Sequence, residues 1–124
     1  LRESKFAWAE LLRLQDRRAD AVKLYKELAS DVRTKEGSAA AYYVLEDVFA
    51  GGDMDKAEKA IFAYSEREPQ AYWLAKAFIL LGDVYVRKGD NFQARATYQS
   101  VADGYSPADD GIVAEAKERI AKLN

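Results

Sequence analysis

Three pairs of neighbouring polar residues have the side chains needed for acid–base or metal chemistry: Glu46 with Asp47, Asp83 with Tyr85, and Asp109 with Asp110. General acid–base catalysis usually needs a sheltered group with a shifted pKa, and neither of the first two pairs lies in a glycine-rich or ligand-like motif. Asp109 and Asp110 have no third ligand near them in the sequence, so the capping of a helix is their favoured role. The sequence therefore predicts no catalytic and no metal-binding residue, and a protein that is not an enzyme.

Cysteine and histidine are both missing from the sequence. This removes thiol nucleophiles, disulfides and the commonest zinc ligands. The Gly51-Gly52 pair precedes Asp53, an order that is typical of a helix end followed by a helix cap and not of a loop that holds phosphates. We therefore expect no cofactor.

The charge balance and the apolar runs limit the classes of partner. The formal net charge is −2, whereas phosphate binding needs a concentrated basic surface, so nucleic acid is not an expected partner. The longest apolar runs, such as 39–45 and 77–81, are far shorter than the roughly 20 residues that cross a membrane, so we expect no membrane insertion. The chain starts at Leu1 and not at methionine, which we interpret as a mature or excised piece of a longer protein.

The spacing of apolar residues and of helix-ending residues predicts seven helices, and hence an all-α protein. Asp16, Asp53 and Asp90 stand where N-caps are needed, and Pro69 suits the first turn of the fifth helix because its missing N–H would have no partner there. The predicted spans are 4–14, 17–32, 38–50, 54–67, 69–87, 90–104 and 111–123.

Three of these helices share one sequence signature. Its copies are Ala21-x3-Tyr25-x2-Leu28, Ala57-x3-Ile61-x2-Tyr64 and Ala94-x3-Tyr98-x2-Val101, with the alanines 36 and 37 residues apart. A fixed period of this length is typical of stacked helical hairpins, in which each unit covers the apolar face of its neighbour. The sequence therefore predicts one domain over residues 1–124, built from hairpins at about 2–34, 38–69 and 75–107 and a capping helix at 111–123.

One apolar stripe of the fifth helix contains a glycine. Phe78, Leu81, Gly82 and Tyr85 follow the helical spacing of a single buried face. Glycine inside a helix costs up to about 1 kcal/mol relative to alanine. We therefore expect Gly82 to allow a partner helix to approach closely.

The third hairpin resembles the tetratricopeptide repeat. Its residues Phe78-x2-Leu81-Gly82-x2-Tyr85, followed by Ala94-x3-Tyr98 and Pro107, match the family's aromatic, small and proline positions. The first two hairpins match in part, and the periods of 36 and 37 exceed the family's usual length of about 34 residues. The resemblance covers about residues 2–107 and implies a right-handed α-α superhelix, or solenoid. The degenerate repeats also resemble those of bacterial cell-envelope proteins, which implies the periplasm or cell envelope, with the cytoplasm as the alternative.

The resemblance further implies a concave groove, lined by the first helix of each hairpin, that holds a protein or peptide. Carried onto this chain, the groove-facing positions are Phe6, Glu10, Arg13, Tyr42, Glu46, Phe49, Ile79, Asp83 and Val86. The acids Glu10, Glu46 and Asp83 occupy equivalent positions and are expected to form a row that we call the acidic ladder. Such a row favours a partner segment with Lys or Arg between apolar side chains. In one subclass a lysine and an asparagine grip a C-terminal carboxylate. Phe6 or Tyr42 and Glu10 or Glu46 take those places here, so no such clamp is expected.

An alternative to an interaction module stays open. The domain is then a purely structural segment of a longer solenoid, and the ladder acids only pair with neighbours such as Arg13 and Arg87, which contributes little. Adjacent aromatic residues on a helix point about 100° apart, so one member of Tyr42-Tyr43 and one of Tyr72-Trp73 is a candidate for contact with the groove's ligand or with a neighbouring molecule.

The first helix is richer in apolar residues than one partner helix requires. Its apolar residues are Phe6, Trp8, Ala9, Leu11, Leu12 and Leu14. Exposed apolar patches usually mark an interface. We expect another repeat of the parent protein to cover this helix, or self-association through a second copy of the chain.

Overall fold

A computed structural model describes residues 1–123 as seven α-helices and the links between them, with no strand in this range. The helices are α1 (Arg2–Leu14), α2 (Arg18–Leu28), α3 (Lys35–Ala50), α4 (Met54–Glu66), α5 (Ala71–Arg87), α6 (Asn91–Gly104) and α7 (Ile112–Ala121). The predicted all-α class is confirmed, and each helix lies within four residues of its predicted bounds.

The predicted roles of Asp16 and Pro69 at the starts of α2 and α5 are wrong, and α3 begins at Lys35 and not at Ser38. Asp16 does not cap α2, because its backbone is left-handed (φ 61°) and Arg17 takes the N-cap position without a side-chain hydrogen bond. Pro69 lies outside α5, which begins at Ala71 after Gln70. The Gln70 amide instead donates to the hydroxyl of the buried Ser38 at 2.9 Å, which ties the start of α5 to α3.

Other caps follow the sequence. The Lys56 amide donates to the Asp53 carboxylate at 3.1 Å, and the Gln93 amide donates to the Asp90 carboxylate at 3.0 Å. Asp110 accepts a hydrogen bond from the Ile112 amide at 3.2 Å, so it does stabilise the first turn of α7. These aspartates satisfy amides that have no partner within the helix.

The helices contact one another in a regular order. We call α1, α3, α5 and α7 the first helices, and α2, α4 and α6 the second helices. Each second helix contacts the first helix before it and the first helix after it, and successive first helices also contact one another. Among residues 1–123 the backbones of the second helices do not come close to one another, although the Arg67 guanidinium after α4 donates a hydrogen bond to the Ala29 carbonyl after α2. The first helices therefore form a continuous row.

The hydrophobic core depends on a match of side-chain sizes between first and second helices. Gly82 lies against the ring of Tyr98, and a Cβ atom placed on Gly82 would be only 2.2 Å from Tyr98 Cε1. This confirms that Gly82 allows a close approach. The equivalent pair in the first hairpin is Ala9 with Tyr25, again a small residue and a tyrosine in one core cluster. In the middle hairpin the pair is Leu45 with Ile61, in which a larger residue on the first helix accompanies a smaller one on the second.

The alanines of the repeated signature are buried, as a close helix contact requires. Ala21, Ala57 and Ala94 are each no more than 1% exposed. The last helix, α7, buries Ile112 and Ala116 against α5 and α6.

We predict that Gly82→Ala destabilises the domain. The added methyl group meets the Tyr98 ring, and overpacking of a core costs about 1–3 kcal/mol, which exceeds the gain in helix propensity of up to about 1 kcal/mol. Urea denaturation followed by circular dichroism measures the change in the free energy of unfolding. Gly104→Ala is the matched control, since a Cβ atom there meets nothing within 4 Å. Equal stability of Gly82→Ala and the parent chain would contradict the prediction.

Candidate functional site

Glu10 and Arg13 are predicted groove residues of opposite charge on α1. They form an ion pair with each other, and both bond to the hydroxyl of the core residue Tyr25. The Arg13 guanidinium donates to both oxygens of Glu10, at 3.1 and 3.2 Å. The hydroxyl of the buried Tyr25 also donates to Glu10, at 2.8 Å. The Glu10 carboxylate therefore has partners on the same helix and on α2.

Asp83 has an equivalent set of partners in the third hairpin. It accepts a hydrogen bond from the Tyr98 hydroxyl, just as Glu10 does from Tyr25. The guanidinium of Arg119 donates to both Asp83 oxygens, at 3.0 and 3.2 Å. Arg119 lies on α7, 36 residues after Asp83. The position that carries an acid in α1, α3 and α5 thus carries a cation in α7.

Glu46, the middle acid, has a different environment. Its second-helix counterpart is Ile61, which has no hydroxyl to offer, and Glu46 instead accepts a hydrogen bond from Tyr42 on its own helix at 3.1 Å. Within residues 1–123, Glu46 has no ion pair. It lines a cavity of about 250 Å³ between the first two hairpins, together with Arg13 and Tyr43. In the described part of the chain, Glu46 is therefore the ladder acid without an ion pair, since Glu10 pairs with Arg13 and Asp83 with Arg119.

Four aromatic rings join α3 to α5 beside Glu46. Trp73 lies 5.6 Å from Tyr42, 5.7 Å from Tyr43 and 5.0 Å from Tyr72, measured between ring centroids. Tyr42 is buried, whereas Tyr43, Tyr72 and Trp73 are half-buried. We call these three half-buried residues the aromatic surface. Tyr43 is thus the more exposed member of the Tyr42-Tyr43 pair, whereas Tyr72 and Trp73 are both half-buried.

Cationic side chains lie over several of these rings. The Arg13 guanidinium is 4.7 Å from the Tyr43 centroid, and the Lys76 ammonium is 5.6 Å from that of Tyr42. Such contacts are attractive because the face of an aromatic ring is negative. The rings on this side of the molecule therefore already accept cations.

The remaining predicted groove residues are divided between core and surface. Phe6 is half-buried, 6.0 Å from Tyr25 between ring centroids, and Phe49 is half-buried beneath Arg87. Val86 is 40% exposed. Ile79, in contrast, is only 2% exposed and belongs to the main core, so it offers no surface to a partner. The predicted row of Phe6, Tyr42 and Ile79 is thus interrupted, because α5 is covered on more sides than α1.

Two cationic residues of this face, Arg119 and Lys76, were not predicted from the sequence. Arg119 holds Asp83, and Lys76 lies over Tyr42 and within 3.7 Å of Glu115. Extending the 36-residue period by one step would have found Arg119. Lys76 carries no comparable signal in the sequence.

Burial and nearby carboxylates both affect the tyrosine hydroxyls on this face. Burial is the main cause that raises the pKa of Tyr42, and the nearby Glu46 raises it further. Burial is also the main cause that raises the pKa of Tyr43, where Glu10 adds to the shift and Arg13 opposes it. The neutral form of both hydroxyls is therefore favoured.

Residues 1–123 contain neither a metal-binding cluster of acidic side chains nor a membrane-spanning helix. No group of three or more His, Cys, Asp or Glu side chains is arranged to hold a metal ion in this range. No helix there has both the length and the apolar character needed to cross a membrane. Comparisons with protein-family models, with curated proteins and with solved structures found no match to this chain.

We predict that the helices unfold at alkaline pH as the buried tyrosines ionise. Burial raises the pKa of Tyr25, Tyr42, Tyr64 and Tyr98 above the ordinary value of 10. A raised pKa means that the folded state favours the neutral form, so the stabilisation is complete below pH 10 and is lost as the pH rises above it. Tyrosinate absorbance and circular dichroism should change together in this range. Tyrosines that all ionise near pH 10 while the helical signal stays constant would contradict this.

Proposed function

We propose that this chain is a protein–protein interaction module that binds a peptide or a partner helix on the row of first helices. The observation that carries the proposal is the aromatic surface of Tyr43, Tyr72 and Trp73 next to Glu46. Half-buried aromatic side chains supply large contact areas at a low cost in conformational entropy, which is why they are enriched at interfaces. Glu46 adds a carboxylate at the edge of that area, with no ion pair within residues 1–123.

We propose in addition that the hairpins form a right-handed α-α superhelix of the tetratricopeptide type. The order of helix contacts supports this, because each second helix packs between two first helices, while within residues 1–123 the backbones of the second helices do not come close to one another. In such a superhelix the row of first helices lines the concave side. The aromatic surface would then lie inside the groove.

The partner we propose carries Lys or Arg between apolar side chains. Its apolar side chains would cover Tyr43 and Trp73, and a cation beside them would meet Glu46 and the faces of the tyrosine rings. Charge would contribute orientation and association rate more than affinity. Arg13 and Lys76 occupy similar positions over the rings in the free protein, so a partner's cation has to displace or extend these contacts.

The alternative is a structural segment without a ligand of its own. It is favoured by the internal pairing of Glu10 with Arg13 and of Asp83 with Arg119. Two of the three ladder acids then serve the fold, and a test of the groove should not include them. Glu46 is the residue that distinguishes the two functions.

We predict that a basic amphipathic peptide binds better than its acidic counterpart and that Glu46→Gln reduces the difference. The probes are two synthetic helical peptides of about 18 residues with the same leucines, one carrying Lys and the other Glu at the polar positions. In a Trp8→Phe background Trp73 is the only tryptophan, so its fluorescence reports contact with the aromatic surface. Glu46→Gln should weaken binding of the basic peptide about two- to fivefold at low salt, because a partly exposed charge pair contributes up to about 1 kcal/mol.

Glu118→Gln is the matched control for this measurement. Glu118 is an exposed carboxylate on α7 that pairs with Lys122 at 3.1 Å, so the substitution removes the same charge away from the aromatic surface. It should leave binding unchanged. Equal binding of the two peptides, or no change in Trp73 emission when the basic peptide binds, would contradict the proposed site and favour the structural alternative.

A further inference from the structure

The outward side of α1 is an apolar face with no partner among residues 1–123. Trp8 is 54% exposed and Leu11 is 43% exposed, and at about 100° per residue they are turned about 100° and 160° around the helix from the buried Ala9, with Trp8 next to the buried Leu12. Leu14 is 75% exposed and extends the same face beside Leu11. α1 therefore has apolar side chains over more of its surface than α2 and α3 cover.

The same positions of the next first helix pack against a second helix. Ser4, Ala7, Trp8 and Leu11 correspond, 36 residues later, to Ala40, Tyr43, Val44 and Asp47 of α3. Ala40 is buried in the cluster that contains Ala21 and Tyr25 of α2, and Tyr43 and Val44 pack against that cluster. The Tyr43 and Tyr25 rings are 5.0 Å apart between centroids.

The third first helix repeats this arrangement. The corresponding residues of α5 are Ala77, Leu80, Leu81 and Val84, all of them buried, and α4 is the second helix in contact with α5 at this interface. Polar contacts close one end of both interfaces: Arg18 of α2 lies 3.5 Å from Asp47, and Lys88 after α5 lies 2.6 Å from Asp55 of α4. In α1 the position of Asp47 is taken by Leu11, so an occupant of this face meets an apolar residue there.

We propose that the outward face of α1 is a docking site for one amphipathic helix of the second-helix type. Its occupant is a helix with a small residue, a Tyr or Ile four positions later, and an apolar residue three positions after that, as in α2, α4 and α6. This helix lies on Trp8 and Leu11 as α2 lies on α3 and as α4 lies on α5. The proposal continues an interface that the chain already forms twice, and it does not depend on what binds to the aromatic surface.

A second copy of the chain, stacked end to end, does not fit this site. The helix at the other end is α7, whose exposed back carries Lys117, Glu118 and Lys122. Placing these charges against Trp8 and Leu11 would remove them from water without new partners, which is costly. The last second helix, α6, is already covered by α7.

The test supplies such a helix at the correct spacing. Leu74 is the equivalent of Leu1, so a copy of residues 38–73 fused directly before Leu1 places a copied α4 on α1 as the original lies on α5. With Trp73 and its copy replaced by Phe, Trp8 is the only tryptophan. We expect a blue-shifted Trp8 emission, severalfold weaker quenching by acrylamide, a higher melting temperature and added helical signal in circular dichroism.

Leu11→Glu provides the matched control. Leu11 is exposed in the parent chain, so this substitution should leave the parent's stability unchanged while abolishing the protection of Trp8 in the fused chain. The proposal is overturned if Trp8 stays equally quenched in the fused chain, or if the copied hairpin remains unfolded, since docking on α1 is what would fold it. Sedimentation that reveals a dimer of the parent chain, dissociated by Leu11→Glu, would overturn it in favour of a second copy.

Discussion

The size of the residue at the middle of each first helix determines how its second helix packs. Gly82 leaves room for the ring of Tyr98, and in the first hairpin Ala9 shares a core with Tyr25 in the equivalent arrangement. In the middle hairpin Leu45 fills that space, and the second helix carries the smaller Ile61. Protein cores are close-packed, so a large side chain on one helix requires a small one on the other.

The same pairs determine the electrostatics of the surface above them. A buried tyrosine ring can extend its hydroxyl to the face of the first helices that carries the ladder acids. There Tyr25 donates a hydrogen bond to Glu10, and Tyr98 donates one to Asp83. Ile61 cannot do this, and Glu46 is left with a tyrosine of its own helix and no cation within residues 1–123. A change in core packing thereby distinguishes one acid of the ladder from the other two. The proposed site for a partner lies at that acid, beside Tyr43 and Trp73.

The first and last helices, α1 and α7, present different surfaces at the two ends of the row. α7 covers α6 with Ile112 and Ala116 and presents charged residues to the outside, and its Arg119 neutralises the last acid of the ladder. α1 presents Trp8 and Leu11 at positions where α3 has the half-buried Val44 and Asp47 beside α2, and where α5 has the buried Leu81 and Val84. An end with a charged back does not extend the stack, whereas an apolar end can accept another helix.

The helices, their order and the period could be predicted from the sequence, because they depend on local signals: apolar spacing, the caps Asp53 and Asp90, and the repeated alanines. The close helix approach at Gly82 could also be predicted, since a glycine inside an apolar helix stripe implies a close neighbour. The N-cap of α2 and the first residue of α5 could not be predicted from Asp16 and Pro69, because they depend on a left-handed turn and on a hydrogen bond between Gln70 and Ser38 of another helix. The nine groove positions were placed by equivalence alone, and only the tertiary structure decided that Ile79 is buried and that Arg119 holds Asp83. Burial and ion pairing depend on which helices surround a residue, and the number of surrounding helices differs between the middle of the row and its ends.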